Sequence, residues 1–100
     1  MNPVSADARP SFTPRQGQYL AFIHAYRCLH GLAPAEADIQ RYFRVSPPSV
    51  HQMVLTLEKV GLITRQPGVA RSIALLVEPK ALPELRSEHV QPVKTSVQRY

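Results

Sequence analysis

Apolar residues recur along this chain at helical spacing three times, and then the spacing changes. In "TPRQGQYLAFIHAYRCLHG" the apolar positions are Tyr19, Phe22, Ile23 and Tyr26, with Leu29 continuing the series. That i, i+3, i+4, i+7 order predicts an amphipathic helix. Thr13 suits its N-cap, Pro14 its first helical position, and Gln16 is placed to complete a capping box. Gly31 marks its end. After the connection "HGLAP" a shorter helix is expected from Ala35 to Phe43, burying Ile39, Tyr42 and Phe43.

The third helix is predicted in "SPPSVHQMVLTLEKVG", with Ser46 as N-cap and Gly61 as terminator. Pro47 and Pro48 fall in its first turn, where backbone N–H groups have no acceptor within the helix, so their missing donors cost little. Val50, Met53, Val54, Leu57 and Val60 repeat at helical spacing; Ser49, His51, Gln52 and Thr56 are left on the other side. Beyond Gly61 two short runs rich in Leu, Ile and Val, "LITRQ" and "SIALLV", flank the turn-forming "PGVAR". They predict a β-hairpin with Arg65 on the strand leading in and Arg71 in its loop.

Three helices followed by a hairpin, with a tight turn between the second and third, predict a winged helix-turn-helix: mainly α with a small β-hairpin, an α+β arrangement. The periodic pattern places this domain at residues 13–77, after a flexible arm at 1–12. Residues 78–100 hold three prolines and no sustained period, so a disordered tail is expected there.

Charge sharpens this picture. The 100 residues carry a formal charge of +5. Segment 13–77 holds seven basic residues against three acidic ones, so most of the excess sits on the expected domain. That is the profile of a domain that meets a polyanion. The single cysteine, Cys28, permits no internal disulfide and no metal set; it is expected as a small buried apolar residue in a reducing compartment. There is no apolar run of membrane-spanning length and no signal-like start, so a cytoplasmic location is expected. His24 and His30 are six residues apart, far from each other around the first helix, and make no metal pair; His89 lies in the tail without a partner. With no Gly-rich phosphate loop and no nucleophile–base arrangement, neither an enzyme, a cofactor nor a small-molecule substrate is implied.

The stretches "TPRQGQYLAFI", "GLAPAEADI", "SPPSVHQMVLTLEKVGLI" and "PGVARSIALL" together resemble the N-terminal DNA-binding domain of LexA repressors, in that family's order and near its spacing. The resemblance covers 13–77 and implies a sequence-specific, double-stranded DNA-binding transcriptional repressor. Two features depart from it. LexA proteins continue into a serine peptidase domain with a Ser–Lys dyad and an Ala-Gly cleavage site. These 100 residues hold neither, so no self-cleavage is expected of them, and the region through which LexA dimerises is lacking. The turn "FRVSPPSV" is also a residue shorter than the usual family form, with Arg44 where a glycine is common. This leaves the register of the recognition helix open by one position.

A recognition helix inserts its N-terminal half into the major groove. There Gln52 would pair with adenine, Ser49 with a purine or pyrimidine, His51 would donate to a guanine acceptor, and Pro48 would touch a thymine methyl. Ser46 and the first-turn N–H groups suit a phosphate, less the two donors the prolines remove. Arg44 in the turn, Thr56 a turn further on, and Arg65, Arg71 and Ser72 on the wing complete the expected backbone contacts. Binding would then weaken steeply with salt. Arg15 and Arg41 stand evenly between plain surface charges and phosphate contacts. A homodimer on DNA is expected, because one domain of this size buries a small interface. The alternative is a winged-helix protein-interaction module; the basic excess favours DNA.

Overall fold

The computed structural model describes residues 11–87, so most of the expected arm and the end of the expected tail lie outside the described residues. The elements are α1 (Pro14–His30), α2 (Glu36–Phe43), α3 (Pro47–Lys59), β1 (Ile63–Thr64), β2 (Ala74–Leu75) and a 3-10 turn over Pro79–Ala81. Three helices and a two-stranded antiparallel hairpin make the winged helix-turn-helix.

The local signals act as expected at the helix starts. Thr13 Oγ1 accepts the Gln16 N–H at 3.0 Å, and Gln16 Oε1 accepts the Thr13 N–H at 2.9 Å. At the start of α2, Asp38 Oδ2 accepts the Ala35 N–H at 2.9 Å, so this helix begins one residue later than expected, with Ala35 as its cap. Gly31 closes α1 in the left-handed region at φ 78, its N–H bonded to Arg27 O.

The core is built where the three helices and the hairpin converge. Tyr19, Leu20 and Ile23 come from α1, Ile39 and Phe43 from α2, Val50, Val54 and Leu57 from α3, and Leu62, Ile63 and Ile73 from the hairpin region. Tyr19 stacks on Phe43 with ring centroids 4.3 Å apart, and Phe22 on Tyr42 at 4.6 Å. Such pairs add about 1 kcal/mol each beyond the area they bury, and here they fasten α1 to α2.

Three residues expected in the core are outside it. Leu29 is 79% exposed and Val60 56% exposed. Cys28 is exposed as well, its Sγ 3.6 Å from His24 Nε2. The fully buried part of α1 is confined to Gly17–Ile23, and the end of this 17-residue helix, roughly 25 Å long, runs past the elements packed on it. Val60 follows the last residue of α3 and serves as its C-cap, where the chain turns away.

A disordered tail was expected beyond residue 77, yet residues 82–86 pack against the domain. Leu82 and Leu85 lie on the core. The Gln18 side chain, only 3% exposed, donates Nε2 to Glu84 O at 2.9 Å and accepts the Arg86 N–H on Oε1 at 2.7 Å. Tyr42 Oη donates to Arg86 O at 2.9 Å. Gly17 permits the close pass: a Cβ there would lie 3.0 Å from both Phe12 and Pro83. Phe12, counted in the arm by pattern, also packs on the core.

Candidate nucleic-acid interface

The first turns of α3 separate two kinds of side chain. Val50 and Val54 are fully buried, while Pro48, Ser49, His51 and Gln52 are exposed. The core stripe therefore sets the rotation of the helix, and the polar tip is what remains outside. Ser46 Oγ caps the helix by accepting the Ser49 N–H at 3.3 Å, and lies 3.0 Å from Ser49 Oγ. Pro47 and Pro48 have no N–H, and the next donor is already bonded to Ser46. The expected first-turn donors to a phosphate are thus taken up or missing. The Gln52 amide makes no hydrogen bond among the described residues. The Thr56 hydroxyl donates to Gln52 O at 2.9 Å, a bond within the helix.

Two shallow clefts flank this tip. One, of about 380 Å³, is lined by Thr13, Gln16, Ser49, Gln52, Met53 and Thr56, and so joins the start of α1 to α3. The other, of about 320 Å³, lies between the start of α2, His51 and the wing. Inside it His51 Nδ1 stands 3.2 Å from both carboxylate oxygens of Glu36, the first residue of α2.

The wing is a register of two pairs, Ile63 with Leu75 and Thr64 with Ala74, closed by a long loop. Ser72 organises that loop: its Oγ accepts the Gln66 N–H at 2.9 Å and lies 2.8 Å from Val69 O. Arg71, in the left-handed region at φ 59, is folded back onto the body of the domain. Its Nη1 lies 3.1 Å from Asp38 Oδ2, 3.2 Å from Tyr26 Oη and 3.3 Å from Ala33 O. Arg65 is also held within the fold, with Nε 3.0 Å from Glu58 Oε1 and its side chain 16% exposed.

The model of the LexA DNA binding domain matches residues 10–72. The chain belongs to that family. It is 41% identical over 70 residues to the LexA repressor of Thermosipho africanus, a match covering 70% of this chain and 35% of that protein. To the LexA repressor of Geobacter metallireducens it is 37% identical over 65 residues, covering 64% and 32%. The matched region is thus about a third of the length of these relatives.

Within this LexA domain the expected site residues separate by what they already touch. Pro48, Ser49, His51 and Gln52 share one exposed tip. Arg44 is exposed in the turn, left-handed at φ 57, with no ion pair among the described residues. Ser46, Thr56 and Ser72 hold their own segments, and Arg65 and Arg71 hold acidic partners. Arg41 pairs with Asp38 at 3.0 Å, and the Arg15 guanidinium lies over the Phe43 and Tyr19 rings. Glu36, Asp38 and Tyr26 shape the site and were missed as site residues. Asp38 carried a sequence signal, an acidic residue three positions after the α2 cap; Glu36 and Tyr26 carried none. Among the described residues no group of three or more His, Cys, Asp or Glu is placed to hold a metal, and no helix is long and apolar enough to cross a membrane.

The Asp38 carboxyl is held by opposing influences. Partial desolvation pushes its carboxyl upward, but the Ala35 N–H, Arg41 and Arg71 outweigh that and hold it below the usual carboxylate value.

Proposed function

We propose that this domain binds double-stranded DNA sequence-specifically and acts as a transcriptional repressor, as a regulator rather than an enzyme, in the cytoplasm. The observation that carries the reading is the tip of α3. Its apolar stripe is buried, and its polar residues stand together at the end that a winged helix-turn-helix presents to the major groove.

In this reading Ser49, His51 and Gln52 reach base edges, and Pro48 meets a thymine methyl. Gln52 is the strongest candidate, because its amide has both a donor and an acceptor to offer adenine. Arg44 supplies the phosphate contact beside the tip. Ser46, Thr56 and Ser72 meet the backbone only through hydroxyls already engaged in the fold. Arg65 and Arg71 act chiefly by holding the wing in place, with any phosphate contact made in competition with Glu58 and Asp38. Two copies bind two half-sites as a homodimer on DNA. The LexA repressors similar to this chain support the repressor role; the reading assigns these residues repression and no self-cleavage.

Selection from a random duplex pool tests it. The wild-type chain is expected to enrich one sequence, with paired half-sites if it dimerises on DNA. The double variant His51→Ala, Gln52→Ala is expected to lose that preference while retaining weak, salt-sensitive binding. If the wild type shows no salt-dependent duplex binding, the function is not this one and a protein-interaction role takes its place.

A further inference from the structure

We propose that Glu36 sets the tautomer of His51 and thereby makes this side chain a reader of amine-bearing bases, cytosine or adenine, rather than a donor to guanine. The inference rests on the DNA-reading role given above to the tip of α3.

Its basis is the pairing of two side chains from different elements. Glu36 opens α2, His51 stands in the second turn of α3, and Nδ1 is 3.2 Å from each carboxylate oxygen. An ionised carboxylate offers acceptors only, so the ring nitrogen facing it carries the hydrogen. In the neutral imidazole the other nitrogen is then bare. Nε2, across the ring from Glu36, is an acceptor. The His51 side chain is 52% exposed, so this edge is open to a ligand. Arg65 and Arg71 line the same cleft, but they are paired with Glu58 and Asp38. Glu36 is thus the charged group within bonding distance of the ring among the described residues.

The major groove presents such an acceptor with a clear choice. Cytosine N4 and adenine N6 carry amine donors; guanine offers N7 and O6 and thymine O4, all acceptors. An Nε2 lone pair bonds the first pair and repels the second. Glu36 acts here as a positioning residue: it reads no base itself, but it decides which edge His51 shows. Without it the ring is free to take the Nε2–H tautomer that imidazole side chains prefer in water, and the preference at that base changes.

Two measurements test this, both at a mildly alkaline pH that keeps imidazoles neutral. The first is the ¹⁵N spectrum of the His51 ring in the DNA-free chain. The wild type is expected to show Nδ1 protonated and Nε2 bare, and Glu36→Gln to shift the ring toward Nε2–H, because an amide can donate as well as accept. The second is duplex selection with wild type, His51→Ala and Glu36→Gln. His51→Ala identifies the base position that His51 reads. There the wild type is expected to favour cytosine or adenine by about threefold to tenfold, the size of one hydrogen bond. Glu36→Gln is expected to lose that preference and keep the others. A wild-type ring protonated at Nε2, a guanine or thymine at the His51 position, or an unchanged preference in Glu36→Gln overturns the proposal. The selection separates the two failures. If no sequence is enriched by the wild type, the DNA reading falls and the base preference with it, whatever the tautomer. If an operator is enriched and Glu36→Gln leaves it unchanged, only the role of Glu36 falls.

Discussion

Arg71 in the wing and Asp38 in the first turn of α2 form an ion pair of 3.1 Å, and through it the hairpin loop is tied to the helix-turn-helix. Asp38 also accepts the Ala35 N–H and pairs with Arg41, so one carboxylate serves a helix cap, a surface pair and the wing. Arg71, one of the expected phosphate contacts, thereby ties the wing to α2. In the proposed DNA-binding role, this pair acts through where the wing stands.

Asp38→Asn is therefore expected to weaken both stability and binding. The cap bond and a partly exposed ion pair together contribute about 1–2 kcal/mol, which lowers the melting temperature of a domain this small by several degrees. Calorimetry checks the first effect, and duplex titration the second. A variant as stable and as tight-binding as the wild type would remove Asp38 from the account.

The same carboxylate makes a signed prediction about pH. Its folded value lies below the ordinary aspartate value, so the unfolded chain takes up the proton first as pH falls. The stability it contributes is fully present above that value and is lost as pH drops through the lower, folded one. Thermal melts between neutral pH and pH 2.5 should show the wild type losing more stability on this acid limb than Asp38→Asn does. Parallel curves for the two proteins would contradict it.

Arg44→Gly is expected to separate stability from binding. Arg44 holds a left-handed conformation, φ 57, that disfavours any residue with a Cβ. Glycine relieves that strain, less its own larger loss of backbone freedom, so a gain of roughly 0.5–1 kcal/mol is expected. If the side chain neutralises one phosphate, duplex affinity falls and the slope of log affinity against log salt becomes shallower by about one. An unchanged slope would show that Arg44 meets no phosphate.

Gln18→Ala is expected to release the segment after the wing. The substitution leaves Glu84 O and the Arg86 N–H without their partner and removes most of a side chain that is only 3% exposed. A loss of about 2–3 kcal/mol is expected. Hydrogen exchange at the Arg86 amide reports it directly, since that N–H is protected only while the Gln18 carbonyl accepts it. Protection that survives the substitution would mean the segment is held by other contacts.

What could be read from the chain alone was what depends on near neighbours. The α1 start at Thr13 and Gln16, the α3 start at Ser46 and Pro47, and the buried stripe of Val50, Val54 and Leu57 follow from capping chemistry and the helical repeat. Both causes act within a few residues, so the pattern displays them. The same repeat says which side of a helix is apolar but not where its cover ends, and Leu29, Cys28 and Val60 are exposed for that reason.

The remainder was decided only when distant parts of the chain met. His51 and Glu36 are 15 residues apart, and Gln18 and Arg86 are 68 apart. Arg65 and Arg71 look like open cations in sequence because nothing local marks Glu58 and Asp38 as their partners. The prolines of "EPKALPEL" suggested a chain without structure, and the pattern has no way to register that Gly17 and Gln18 prepare a track for it on α1. Local chemistry determined where the helices begin and which face they bury. Tertiary packing determined which polar and charged side chains were still unpaired at the surface, and that is the quantity on which the site depends.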